Sequence, residues 1–260
     1  MTPSLIPVVT IDGPSGSGKG ALTALLAKWT GFHVLDSGAL YRLVGLAARK
    51  ASVRLDDEQA LGSIAENLDV SFVPDDVDDD WQVYLSGERV SERIRTDKAG
   101  VDASMVSQFP QVRAALIGRQ RAFQQLPGLL ADGRDMGTVV FPDAALKIFL
   151  TASAEERATR RYKQLKNKGM DVNFAALLES IRARDERDSS RSVAPLVPAD
   201  DAVVIDSSSM TLDEVVREAQ SLVVDRSLKR ANRSPLSDSM KTNNGQVGSQ
   251  KGHEPKERFE

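Results

Sequence analysis

Apolar positions along this chain follow two rhythms. Short, nearly unbroken runs recur at Val8-Val9-Thr10-Ile11, His33-Val34-Leu35, Leu129-Leu130-Ala131, Leu146-Lys147-Ile148-Phe149-Leu150 and Ala202-Val203-Val204-Ile205. Elsewhere apolar residues return every three or four positions. Leu22, Leu25, Leu26 and Trp29 form one such set, and Leu40, Leu43, Val44 and Ala47 a second. Leu212, Val215, Val216, Ala219, Leu222 and Val223 form a third. The first rhythm predicts strands buried on both faces, and the second predicts helices with one apolar stripe. Their alternation predicts an α/β domain with a central parallel sheet and helices on both faces, three layers in all. Thr211-Leu212-Asp213-Glu214 has capping-box spacing and starts the last helix. In such sheets ligands gather beyond the carboxyl ends of the strands. The polar groups that follow each apolar run therefore decide the chemistry.

Two regions break the alternation. From about Leu68 to Arg95, runs such as Val70-Ser71-Phe72-Val73 and Trp81-Gln82-Val83-Tyr84-Leu85 are separated by acidic or Ser86-Gly87 turns. That pattern predicts a small antiparallel insertion. The run Pro74-Asp75-Asp76-Val77-Asp78-Asp79-Asp80 lacks the glycine and terminal glutamate of a calcium-binding loop, so a solvated loop is expected. From about Ser227 to Glu260 the chain is polar and too poor in apolar residues to order itself, so a flexible tail is expected.

The first apolar run leads directly into Gly13-Pro14-Ser15-Gly16-Ser17-Gly18-Lys19-Gly20-Ala21, and a helical stripe follows. Strand, glycine loop and helix start in that order form a cradle for phosphate. Glycines let successive backbone N–H groups turn inward, and the helix start adds partial positive charge. Lys19 adds a full charge where the outer phosphates of a nucleotide lie. The spacing G-x-x-x-x-G-K is that of the P-loop, except that Gly20 stands where a Ser or Thr hydroxyl usually holds Mg²⁺. The metal is then expected to be held through water or by a distant carboxylate.

Composition changes this picture little. The chain has 260 residues, 41% of them apolar, enough for one substantial core with a small attached lobe. A formal charge of −3 argues against general binding to nucleic acid or anionic membrane. With no cysteine, disulfides and thiolate zinc sites are excluded. Met1 to Pro7 carry no secretory pattern and no run reaches membrane-spanning length, so a cytoplasmic location is the expectation. His33 reads as structural and His253 lies in the tail, which leaves imidazole chemistry without a candidate.

Charged residues cluster after the strands. Asp36-Ser37-Gly38 follows the second run, with Arg42 one helical turn on. Asp132-Gly133-Arg134-Asp135-Met136-Gly137 follows the third. Arg95 closes the insertion, and Ser104 precedes Arg113. Arg157, Arg160, Arg161 and Lys163 form a basic cluster, followed by Arg182, Arg184, Asp185, Arg187, Asp188 and Arg191. Taken singly, such charges are ordinarily solvated helix faces. Their place at the strand ends suits phosphoryl transfer between nucleotides, which brings several anions together. Each unit pair at 4 Å repels by about 1 kcal/mol in water and about 4 kcal/mol at an effective dielectric of 20. Guanidinium groups answer this by binding phosphate oxygens in pairs. A phosphate acceptor is already an anion, so no histidine base is needed.

These segments together resemble the bacterial cytidylate (CMP/dCMP) kinases, nucleoside monophosphate kinases of the P-loop class. The likeness rests on Ile11 to Gly20, on Leu35-Asp36-Ser37-Gly38-Ala39-Leu40-Tyr41-Arg42, and on Leu130 to Thr138. Arg182 to Asp188, Arg191 and Ala194-Pro195-Leu196 extend it, so that it runs from about Val8 to Leu228. The resemblance implies a core over residues 1–226, with the insertion at about 68–95 as the monophosphate-binding lobe. A lid at about 154–170 and a tail over 227–260 complete the expected organisation.

The implied reaction is transfer of the γ-phosphoryl of ATP to CMP or dCMP. Gly13 to Ala21 would hold ATP, with Lys19 bridging its β- and γ-phosphates, and Arg157 and Arg161 would close over the donor. Arg42, Arg134 and Arg191 would clamp the acceptor phosphate. Ser37, Ser104, Arg113 and Asp135 would line the cytosine pocket, and Arg184 and Asp188 would hold the sugar. Asp36 and Arg95 belong with the acceptor side. For Asp36 and Asp132 two roles stay open, bracing the loop or joining the metal's shell. Many relatives carry threonine where Ala21 stands, so Mg²⁺ held through water is expected, with no dedicated protein metal site. A monomer is expected by analogy with relatives. Two other readings exist: a P-loop kinase for a small acid such as shikimate or a sugar acid, and a nucleotide-binding regulatory module. The first should lack the insertion and the pocket groups. A guanine-specific switch should carry Asn-Lys-x-Asp, which does not occur here.

Overall fold

A computed structural model describes residues 6–74 and 81–228, all within one unit, Met1–Lys229. The acidic run at 75–80 and the tail beyond 228, with His253, lie outside the described residues.

Five strands form the main sheet: β1 (Val8–Asp12), β2 (His33–Asp36), β6 (Leu129–Gly133), β7 (Leu146–Thr151) and β8 (Val203–Asp206). Their order is β2-β6-β1-β7-β8 and every pairing is parallel. Because side chains alternate along a strand, each run feeds two cores. In β6, Leu129 and Ala131 join the core beneath α2 (Ser37–Lys50), α3 (Glu58–Glu66), α5 (Asp97–Val106) and α6 (Pro110–Arg121). Leu130 faces the opposite core, with α1 (Lys19–Thr30) and α9 (Leu212–Asp225). Burial on both faces is why these strands read as unbroken apolar runs.

The stripes of α1 and α9 are narrower than their sequence patterns. Leu22 and Leu26 are fully buried, whereas Leu25 is 40% exposed. A helix turns about 100° per residue, and Leu25 falls on the outer side of the Leu22–Leu26 row. In α9 the buried row is Val215, Ala219 and Val223, while Leu212, the first helical residue, stays 45% exposed. The expected capping box is formed: Glu214 N donates to Thr211 Oγ1, and Thr211 N donates to Glu214 Oε2.

The insertion contains a second, antiparallel sheet of β3 (Val70–Pro74), β4 (Trp81–Leu85) and β5 (Glu88–Arg89), followed by α4 (Ser91–Ile94). Ser86 and Gly87, both at positive φ, make the two-residue turn between β4 and β5. After β7 come α7 (Ala154–Asn167) and α8 (Phe174–Ser189), which pack on each other. The parallel register pairs Asp12 with Gly133 and Asp36 with Asp132. The carboxyl ends of β1, β2 and β6 thus meet at one edge.

Candidate active site

The phosphate loop joins β1 to α1. Gly13, Gly16 and Gly18 all have positive φ. Gly13 has the least room, since a Cβ there would lie 2.0 Å from the Leu150 carbonyl oxygen. The loop is thereby held directly against β7. Gly18 caps α1 without a side-chain acceptor, and no acid occupies the first turn. Lys19 is buried, and its Nζ donates to Pro14 O at 2.8 Å. Burial, followed by the nearby Arg134 charge, pushes the Lys19 ammonium down to about 7.

A cavity of about 380 Å³ opens from this loop toward the ends of β2 and β6. Five arginines line it: Arg42, Arg113, Arg134, Arg184 and Arg191. Carboxylates hold them apart. Asp188 is buried, and its Oδ2 accepts from Arg134 Nε at 3.1 Å and lies 4.0 Å from Arg184 Nε. Its Oδ1 accepts from Arg191 and from Ser104 Oγ. Burial alone would raise the Asp188 carboxyl, but the charges of Arg134, Arg191 and Arg184 hold it below its ordinary value. Arg184, desolvated and facing Arg134, is pushed down to about 10.

The second knot is Arg113 with Asp135, both buried and directly paired. Arg113 also donates to Ser107 O at 3.3 Å and lies over the Tyr41 ring, 5.9 Å from its centroid. Burial raises the Asp135 carboxyl, with Arg113 opposing. Asp135 precedes a π-helical turn, Met136–Val140, whose first two N–H groups are bound by Asp12 at 2.9 and 2.8 Å. Asp12 immediately precedes Gly13. One buried carboxylate therefore ties the loop that holds Lys19 to the segment that holds Arg134 and Asp135. Burial pushes Asp12 up to about 7 in spite of those two hydrogen bonds.

A phosphate cradle facing clustered guanidinium groups is the geometry of phosphoryl transfer to an anionic acceptor. Comparison with known proteins agrees. A family model described as cytidylate kinase matches residues 9–225. The chain belongs to the cytidylate kinase family. A cytidylate kinase of Aeromonas salmonicida is 61% identical over 214 residues, which is 82% of this chain and 92% of that one. The cytidylate kinase of Stutzerimonas stutzeri is 58% identical over 223 residues, 86% and 97% of the two chains. One from Pseudomonas aeruginosa is 59% identical over 211 residues, 81% and 92%. Membership makes this chain a nucleoside monophosphate phosphotransferase, with phosphoryl transfer from ATP to CMP or dCMP as its reaction.

Within the family frame, the cavity brings together most of the residues singled out in the sequence. Ser15, Gly16, Gly18, Lys19, Gly20 and Ala21 line its loop side. Asp36, Ser37, Arg42, Ser104, Arg113, Arg134, Asp135, Arg184, Asp188 and Arg191 line the rest. Gly13, Pro14 and Ser17 lie outside the lining, as backbone that shapes the loop: Pro14 O anchors Lys19, and Ser17 O accepts from Ser207 Oγ at 3.4 Å.

Three expected contacts are placed differently. Arg157 is buried, and donates to Ala152 O, Ser15 O and Asp185 at 2.9, 3.0 and 3.0 Å. Its guanidinium braces the phosphate loop from behind because its donors are engaged by the protein. Arg161 is paired with Asp97 at 2.7 Å, outside the cavity. Arg95 lines a neighbouring apolar cavity of about 650 Å³ with Leu25, Val83 and Phe123. Asp12, Tyr41 and Gln120 were not singled out. The sequence offered a signal for the first two, since each sits inside a matched segment beside a named residue. For Gln120 it offered none.

Proposed function

We propose that the acceptor nucleotide lies across the guanidinium cluster with its phosphate toward Lys19. Arg42, Arg134 and Arg191 bind that phosphate, and Lys19 and the loop N–H groups bind the phosphates of ATP. Asp135 accepts from the exocyclic amino group of cytosine, and Arg113, Ser37 and Ser104 contact the rest of the base. Arg184 and Asp188 hold the sugar. The single observation that carries this reading is the shared cavity, in which Gly18 and Lys19 face Arg134, Asp135 and Arg191.

The chemistry follows from charge. Donor and acceptor phosphates repel at contact distance, and the guanidinium groups offset that repulsion where the site excludes water. The acceptor oxygen is already ionised, so positioning and electrostatic stabilisation suffice without a general base. Asp135 and Asp188 keep the arginines apart before substrate arrives, so the site need not reorganise to receive an anion.

The donor set also fits Mg²⁺. Asp36 and Asp132 are register partners lining the cavity, and a Cβ on Gly20 would lie 3.9 Å from Asp132 Oδ2. Burial pushes the Asp132 carboxyl up to about 6; Lys19 opposes this, and the Asp36 charge adds to it, so positive charge is welcome there. With no hydroxyl at Gly20 or Ala21, both carboxylates would reach the ion through water. When bound, Mg²⁺ supplies charge neutralisation on the transferred group. The rest of the proposed organisation is a monomeric, cytoplasmic enzyme. Its core spans residues 1–226, and the insertion at about 68–95 serves as acceptor lobe. The segment at about 154–170 acts as lid, and the tail is dispensable.

A coupled assay with CMP, dCMP, UMP and AMP tests the pocket. CMP and dCMP should be strongly preferred, because uracil presents a carbonyl where Asp135 needs a donor. Asp135→Ala should lower kcat/KM for CMP while calorimetry finds ATP affinity intact. A clear preference for UMP or AMP, or equal loss of both ligands in the variant, refutes the assignment.

A further inference from the structure

Behind the proposed base pocket, two helix faces meet. On α2, Ser37 and Tyr41 stand one turn apart; on α6, Arg113 and Gln120 stand two turns apart. Ser37, Tyr41 and Arg113 line the cavity. Gln120 does not, and is only 1% exposed. Its Nε2 donates to Ser37 Oγ at 3.2 Å, and its side chain also hydrogen-bonds Tyr41. A buried amide is costly unless its groups are satisfied, and these partners belong to the pocket wall.

We propose that Gln120 is a positioning residue that sets the direction of the Ser37 hydroxyl and thereby the reading of the base. A hydroxyl that accepts from a fixed amide has its own proton to give elsewhere. Ser37 Oγ is buried on the side of Gln120 and borders the cavity, so that proton is directed at the ligand. With one of its two lone pairs taken by Gln120, Ser37 presents its proton to the ligand and acts there as a donor. A donor suits the unprotonated ring nitrogen of cytosine and opposes the ring N–H of uracil. Together with Asp135, an acceptor, Ser37 completes a donor–acceptor pattern that cytosine matches. Without Gln120 the hydroxyl is free to turn, and serves either base equally.

This inference rests on the proposed contact between Ser37 and the base, so the experiment separates the two. Gln120→Leu, Ser37→Ala and the double variant are assayed with CMP and UMP, and KM for ATP is measured for each. One hydrogen bond of this kind corresponds to about a 3- to 10-fold effect. Gln120→Leu should raise KM for CMP by that factor, leave KM for UMP unchanged or lower, and leave KM for ATP unchanged. In the Ser37→Ala background it should add nothing for CMP. Equal losses with CMP and UMP, or a full additional loss in the double variant, would mean Gln120 only supports packing, and the inference falls. If Ser37→Ala itself leaves CMP unaffected, the base contact falls and takes the inference with it. Should Gln120→Leu melt too low to assay, Gln120→Met, closer in shape, is read by the same criteria.

Discussion

Replacing Asp188 by alanine tests the electrostatic construction of the site most directly. The carboxylate is 1% exposed and holds Arg134, Arg191 and Ser104 by hydrogen bonds, with Arg184 4.0 Å away. Removal leaves three guanidinium groups facing one another around a small gap. Deleting one partner of a buried ion pair typically costs about 3–5 kcal/mol. The low end applies here, because the side chains of Arg134 and Arg184 keep 19% and 18% exposure and solvent screens their repulsion. A loss of about 3 kcal/mol lowers the melting temperature by roughly 6–12 °C in a domain of this size.

The distinguishing readout is an anion. Three unpaired guanidinium groups make a better phosphate site than three paired ones. Phosphate at constant ionic strength should therefore raise the melting temperature of Asp188→Ala more than that of the parent, by mass action. The acid limb should change as well. A carboxyl held below its ordinary pKa contributes stability that is present above that ordinary value and lost as pH falls through the folded one. The variant lacks this contribution, so it should lose less stability than the parent as pH falls below about 4. A melting point within about 2 °C of the parent, or equal phosphate stabilisation of both proteins, would refute the account of Asp188 as the counter-charge of the cluster.

Three further outcomes concern Lys19 and two glycines at positive φ. Lys19, pushed down to about 7, faces Arg134, Asp132, Asp12 and Arg184. Binding of ATP in EDTA at pH 8 should recharge it, with uptake of up to about 0.9 proton seen as a buffer-dependent calorimetric heat. Asp12 and Asp132, if they shift near the phosphates, add uptake in the same direction. Lys19→Met should remove most of this signal, and proton release in the parent would contradict the assignment. Gly13→Ala forces a Cβ to within 2.0 Å of the Leu150 carbonyl oxygen at φ +148°, where backbone opposes backbone. It should cost more than about 4 kcal/mol or abolish soluble expression. Gly87→Ala, at φ +77° with nothing within 4 Å, should cost only about 1 kcal/mol in chemical denaturation.

The strands, the loop and the edge at which the site forms were legible because each is a local property. An unbroken run such as Leu129 to Ala131 states by itself that both faces are buried. The glycine spacing states that backbone N–H groups converge. Leu25 misled because a stripe read from spacing carries no information on how wide the opposing surface is. Asp12 and Gln120 were hidden for a different reason. Their partners lie 124 and 83 positions away, and nothing in a single carboxylate or amide announces which distant backbone or hydroxyl it will meet.

The arginines lie between these cases. Their clustering in the sequence is plain, but clustering alone fits a solvated helix face equally well. What separates the two is the interleaving of Arg184, Asp188 and Arg191. Spacings of four and three put all three on one side of the chain, with the acid between the bases. On a solvated helix such a row contributes a few tenths of a kcal/mol per pair. Here Asp188 is driven to full burial by contact with Arg134, which arrives from the end of β6, and with Ser104 from α5. The row therefore becomes a site through elements brought in by the sheet topology. The same topology explains Arg157, which has an equally basic neighbourhood but meets the carbonyls of Ala152 and Ser15 and so serves the loop from behind.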